Sequence, residues 1–477
     1  MSYGIYIGKS LTADGVAYLG GYGDEPSSHW LEIVKPEAHR RGTLIKVGVT
    51  PEADMPGLMT EIPQVEETAG HIRVSYSYYK GTPAPLTNGG LNQHGVAVRD
   101  IWSPSRPELV AMTPKTQTGP NYSDLARIVL ERARTARDGV ELMGRLIARH
   151  GHTTYGGNTH MIADPDEAWV VIQFAGGQGL WAAERLGEHS IRVSRPGYIE
   201  EVPVHDPSCR DYLFSDNFVS FAVSKGWYDP SRSQAFDANA VYGDGKGRWA
   251  GVRWMEEEMA RRATAGGKIT VQDVMWAVRT ERLTGDTAGY GQVVPLARTD
   301  HDELRVLWHT QVGAVAAPFV PVFMGATKLP EEFGMHRYLT DGEAARCHDT
   351  REFNRATEIS AVPQGVESTR SATQVFKRLQ NLMFCNVQAF LPEIKELWEA
   401  HERDLLQASA LVAAAAEELL RAGRGDLARH CLTYFTCNEL MKSLEIAESL
   451  GKSLEIRTRL LFGISSNATP VGPAQIW

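Results

Sequence analysis

The sequence predicts an α+β body followed by a mainly helical C-terminal extension. Three observations carry that reading. Short β-type runs bounded by Gly, Asp and Asn recur over residues 3–100 and 158–193. Apolar residues switch to helical spacing over 121–151, 214–280 and 371–421. No internal repeat or low-complexity linker divides the 477 residues, of which 43% are hydrophobic and 22% charged, as in globular chains that bury a large core. The body is assigned to 1–335 and the extension, packed on it, to 336–477.

Gly4 to Gly8 reads as a strand, Thr12-Ala13-Asp14-Gly15 as a turn and Val16 to Leu19 as the returning strand, a hairpin with Ser2 at its free end. The glycines of Gly20-Gly21-Tyr22-Gly23-Asp24 allow close backbone approach, so Asp24 can lie back beside the start of the first strand. The alternative is that Asp24 caps local turn amides. Trp30 to Val34, Leu44 to Val47 and His71 to Tyr76 read as strands of a sheet region. It closes on Asn88 to Val98, a glycine-punctuated turn entering a strand. Such a turn can aim an amide donor at an oxyanion, or Asn88 and Asn92 can simply shape it.

Leu125, Ile128, Val129, Val140, Met143 and Ile147 follow helical spacing, with Thr135 or Asp138 starting a second helix. Asn158 to Ala163, Asp164-Pro165-Asp166 and Ala168 to Ile172 read as strand, turn and strand, with Asn158 at the edge and His160 as a packed side chain. Trp181 to Val193 continues the β pattern until Arg195-Pro196-Gly197 interrupts it. Helices are expected at 214–225, 248–263 and 271–280, and strands at 292–297, 304–308 and 315–323. Gly243 to Gly247 lacks the spacing of a phosphate loop and reads as a surface loop. In the extension Leu405, Leu411, Ala415 and Leu419 form an apolar packing stripe, and the tail from Ser465 reads as loose.

A net charge of -9 and a pI near 6.0 argue against nucleic-acid or anionic-membrane partners. The expected partner is a small-molecule or dipeptide-like substrate, and a homo-oligomer is left open. No apolar run of membrane-spanning length and no signal-peptide pattern is present, so a cytoplasmic location is expected. Five scattered cysteines suit reduced thiols, and the adjacent pairs Cys347-His348 and His430-Cys431 lack zinc-type spacing. Neither a metal nor a cofactor is expected.

Removal of Met1 would leave Ser2 carrying both a hydroxyl and an α-amine, whose ordinary pKa of about 7.7–8.0 leaves a useful neutral fraction near pH 7. That amine can serve as the base for its own hydroxyl.

Met1-Ser2 to Lys9, Gly90-Leu91-Asn92-Gln93-His94-Gly95 and Gly157-Asn158-Thr159-His160-Met161-Ile162-Ala163-Asp164 resemble the dipeptidase A family, which includes the secernins and consists of N-terminal-nucleophile (Ntn) hydrolases. Asp166 to Val171, Leu180 to Arg185, Gly226 to Pro230, Ala277 to Thr280 and Phe319 to Phe323 look similar too. The resemblance covers most of 1–335 and implies a four-layer αββα sandwich and amide hydrolysis, typically of dipeptides. By position, Ser2 falls on the family's nucleophilic Cys and Asp24 on an Asp near the terminal amine. Asn92 and Asn158 fall on asparagines that help form the oxyanion hole and hold the nucleophile. Two departures stand out: Ser for Cys, which increases dependence on the free amine, and Gly21 where the family often has Arg.

The leading reading is an amidohydrolase acting through a Ser2 acyl-enzyme, with Asn92 donating to the oxyanion. Arg195 and Arg298 are candidates for gripping a substrate carboxylate, against a role in structural ion pairs. Two alternatives remain: an acyltransferase or amide-forming enzyme on the same fold, and a non-catalytic binding protein on a retired hydrolase fold.

Overall fold

The computed structural model describes residues 2–24, 29–50, 55–76, 86–206, 208–232, 235–265, 267–285, 288–335 and 370–463. Met1, the Cys347-His348 pair and the tail from Ser465 lie outside them. The chain opens with β1 (Tyr3–Ile7) and β2 (Tyr18–Gly23). Next come β3 (His29–Val34), β4 (Glu37–Ala38), β5 (Leu44–Val47), β6 (Thr60–Pro63), β7 (Glu67–Thr68) and β8 (His71–Tyr76), then the hairpin of β9 (Leu86–Asn92) and β10 (Ala97–Trp102). Helices α1 (Pro107–Met112), α2 (Tyr122–Arg132) and α3 (Ala136–His150) precede β11 (Asn158–Ala163), β12 (Ala168–Gln173), β13 (Trp181–Leu186), β14 (Ile191–Ser194), β15 (Glu201–Val202) and β16 (Tyr212–Phe214). The body ends with α4 (Phe218–Ser224), β17 (Phe236–Asp237), α5 (Ala238–Tyr242), α6 (Ala250–Ala265), α7 (Val271–Arg279), β18 (Tyr290–Pro295), β19 (Val306–Gln311) and β20 (Val320–Phe323). The C-terminal part is α8 (Ala372–Phe384), α9 (Val387–Arg421) and α10 (Gly425–Phe462). Among the described residues no helix is long and apolar enough to cross a membrane.

The larger sheets have strand orders β14-β1-β2-β18-β19-β20 and β16-β13-β12-β11-β10-β9-β8-β3. Every neighbouring pair in both is antiparallel. Strand alternation gives each sheet two apolar faces. On the first sheet, Gly20 lies against Val274 and Val278 of α7, while Gly4 on β1 faces Met161, Ile101 and Arg99 of the second. On the second sheet, Val98, Ile162, Trp169 and Val171 pack against Leu125, Val129, Val140 and Met143 of α2 and α3. The sheets approach closely where side chains are missing, at Gly4 and at Gly89, which faces Tyr290 and Gln292.

Two expectations need revision. Gly20, Gly21 and Gly23 lie inside β2 rather than after it, because the returning strand starts at Tyr18. Asn88, Gly89 and Gly90 are strand residues of β9, and the turn is confined to the residues between Asn92 and Ala97. In both cases the glycines serve sheet packing, not a turn. The C-terminal helices also share the core of the body: Phe376, Met383, Phe390, Trp398 and Leu440 belong to the same apolar cluster as Ile5, Leu19 and Val293. Glu402 of α9 forms a buried ion pair with Arg279 of α7 and accepts the Phe319 N–H at 2.7 Å.

Candidate active site

Ser2 stands directly before β1, and Asp24 directly after β2. The pairing of Tyr3 with Tyr22 brings the two ends together, and the Asp24 N–H donates to Ser2 Oγ at 3.2 Å, with Ser2 only 6% exposed. Gly21 is required for that pairing. At its φ of +153° an added Cβ would lie 2.3 Å from the carbonyl oxygen of Tyr3, so no arginine fits there. The rings of Tyr3 and Tyr22 meet edge to face at 4.7 Å. The Tyr22 hydroxyl donates to Leu283 O at 2.6 Å and that of Tyr3 to Ala277 O, tying both strand ends to α7 and the turn beyond it. Burial pushes the Tyr3 phenol well above its ordinary value, which keeps it a neutral donor.

Two guanidinium groups flank this junction. Arg195, 4% exposed and just past β14, donates through Nη1 to the Tyr22 hydroxyl at 2.7 Å. Arg99 enters from β10 of the opposing sheet and is fully buried. Its Nη2 donates to Tyr22 O at 2.6 Å, and its Nη1 to the Tyr290 hydroxyl at 2.9 Å, to Asn88 O at 2.5 Å and to Asp100 Oδ1 at 3.1 Å. Nη1 also meets Asn88 Oδ1. Behind Tyr290 runs a column of stacked rings, Tyr76, His29, Tyr290 and His309, with centroids 5.1, 5.7 and 6.3 Å apart.

The structure therefore gathers Ser2, Asp24 and Arg195 at one place. It adds Arg99, Tyr22 and Tyr290, which sequence reasoning missed, and draws in Asn88, which was weighed as part of a turn that either aims an amide donor at an oxyanion or only shapes the chain. The signal available for Arg99 was its place on the face of β10 that it shares with Ala97 and Ile101.

Asn92 does not stand in an oxyanion hole. Its amide Nδ2 is spent on the carbonyls of Leu130 (3.2 Å) and Ala133 (2.8 Å) at the end of α2, and its Oδ1 accepts the N–H groups of His94 and Val96, both at 3.0 Å. The side chain shapes the β9–β10 turn and ties it to the helix. Arg298 lies beyond the opposite end of β18 from Tyr290, in an exposed ion pair with Asp166, so it grips no substrate at Ser2. Asn158 opens β11, buried, with its amide 3.4 Å from the carbonyl of Thr159. Thr159 Oγ1 lies 2.5 Å from Ser103 Oγ, which accepts the Gly197 N–H two residues after Arg195. His160 is a packed side chain, bonded to Gln173 and to Tyr122 O and pushed down to about 4 by burial. Among the described residues no group of three or more His, Cys, Asp or Glu side chains is gathered that could hold a metal ion.

The model of peptidase family C69 matches residues 60–249, less than half of the chain. A probable dipeptidase of Salmonella dublin is 32% identical over 161 residues, 33% of this chain and 35% of that protein. A probable dipeptidase of Latilactobacillus sakei is 22% identical over 303 residues, 54% of this chain and 62% of that protein. The chain thus spans about a third of the first relative's length and under two thirds of the second's. Among solved structures, a mutant of conjugated bile acid hydrolase from Clostridium perfringens aligns at 11% identity over 65% of this chain and 89% of that chain, with a TM-score of 0.28, too low to add to the strand order.

Proposed function

We propose that this chain is a hydrolase of dipeptides or similar small amides, built as a four-layer αββα sandwich of the Ntn type and acting through Ser2. The observation that carries the reading is the buried contact of the Asp24 N–H with Ser2 Oγ at the head of β1. The similarity of residues 60–249 to peptidase family C69 and the dipeptidase relatives supports it.

In this reading, processing leaves Ser2 as the first residue. Its neutral amine takes the hydroxyl proton while Oγ bonds to the substrate carbonyl carbon. The resulting ammonium returns the proton to the leaving nitrogen as the C–N bond breaks, leaving an acyl ester on Oγ. Water then attacks the ester, giving up a proton to the same amine, and the proton returns to Oγ as the acid departs. Arg195, beside the Tyr22 hydroxyl, is the proposed partner of a substrate carboxylate, and Asn158 the proposed support of the nucleophile.

Turnover of a dipeptide panel by the wild type and by Ser2→Ala tests this, since the variant keeps the amine and loses only the hydroxyl. The expected fall exceeds about 10³-fold with an unchanged circular-dichroism spectrum. Undiminished turnover by Ser2→Ala would sink the assignment.

A further inference from the structure

The fully buried guanidinium of Arg99 is the least economical feature of the two-sheet interface. Taking that charge out of water is costly, and an apolar side chain of similar length would fill the space against Gly4 without that cost. Its hydrogen bonds reach Tyr22 on β2, Tyr290 on β18, Asn88 on β9 and Asp100 on its own strand, so one group spans both sheets at the head of β1. The Tyr22 carbonyl it holds lies two residues before Asp24, whose N–H meets Ser2 Oγ.

We infer that Arg99 is a positioning residue of this site: its guanidinium fixes Tyr22 so that the Asp24 N–H meets the Ser2 hydroxyl, and its buried charge keeps the Ser2 amine neutral. The inference rests on the proposed function, which requires that amine to act as a base. The charged and titratable groups around the junction are Asp24 after β2, Arg99 and Asp100 on β10, Arg195 after β14, His29 on β3, and the phenols of Tyr3, Tyr22 and Tyr290. The carboxylates of Asp24 and Asp100 favour a protonated amine and the two guanidinium groups oppose it, Arg99 against the partial offset of Asp100 at 3.1 Å. Arg99, shielded from water and salt, acts with the weaker screening of the two.

The test is the pH dependence of acetic anhydride labelling at the Ser2 amine, read by mass on the N-terminal peptide of the intact folded protein. The wild-type amine is expected to titrate about one pH unit below the ordinary 7.7–8.0. Arg99→Met should raise that midpoint by about one unit, a roughly fivefold smaller neutral fraction at pH 7, while Arg99→Lys should restore it by keeping the charge. A wild-type midpoint at or above the ordinary value overturns the inference. So does a folded Arg99→Met protein that titrates where the wild type does. If Arg99→Met does not fold, Arg99→Gln, which loses the charge and keeps a hydrogen-bond donor, is titrated in its place with the same rise expected, and an unshifted midpoint overturns the inference. A blocked or absent Ser2 amine, visible in the same spectrum, removes the proposed function itself and is told apart from a free amine of ordinary basicity.

Discussion

Asn92 spends both amide hydrogens on the carbonyls that end α2 and its oxygen on two turn amides, so Asn92→Ala strands four polar groups at once, three of them buried. The expected loss is about 2–4 kcal/mol of unfolding free energy in urea, with turnover of the folded protein within about threefold of wild type. A 100-fold loss of turnover at unchanged stability would restore an oxyanion role to it. The contact between Ser2 and Asp24 was legible because it is local: one hairpin register brings the two residues together. Arg99 was missed although alternation puts it on one face with Ala97 and Ile101, because a charged strand residue is ordinarily turned to solvent. Only the approach of two sheets at Gly4 gives its guanidinium a buried place. Arg298 shows the converse, an attractive residue type whose strand carries it to the surface.

Helices and simple hairpins were readable where a short-range device sets them. The Thr135 side chain accepts the Asp138 N–H and starts α3, and Asp164 Oδ1 accepts the N–H groups of Asp166 and Glu167 to turn β11 into β12. β9 was misread because Asn88-Gly89-Gly90 carries turn residues for a tertiary reason. A Cβ at Gly89 would lie 2.5 Å from Gln292 Oε1 and 2.6 Å from the Tyr290 hydroxyl, so the strand needs glycine to let the first sheet approach. Gly89→Ala should therefore cost about 1–3 kcal/mol and, by displacing Tyr290 from Arg99, lower turnover. Thermal unfolding and dipeptide kinetics on the same preparation check both effects, and a variant as stable and as active as wild type would refute this packing role.

Among the described residues α8 and α9 share the largest apolar cluster with the body, and buried histidines give the fold an acid limit. His152, His160 and His309 are each pushed down to about 4 by burial, against about 6.5 in an unfolded chain. Between those values the unfolded chain binds protons that the folded one refuses. Their stabilisation is therefore complete above pH 6.5 and lost progressively as pH falls towards 4. Urea midpoints should drop steadily from pH 7 to pH 5, with proton uptake on unfolding approaching about three from these residues alone. A flat profile over that range would contradict their buried, neutral state. The claim on which the chemistry depends is tested most directly by the mass of the N-terminal peptide in a preparation that hydrolyses a dipeptide. The expected result is a chain starting at Ser2 with a free amine. Full activity in material whose Met1 is retained, or whose Ser2 amine is acetylated throughout, would contradict it.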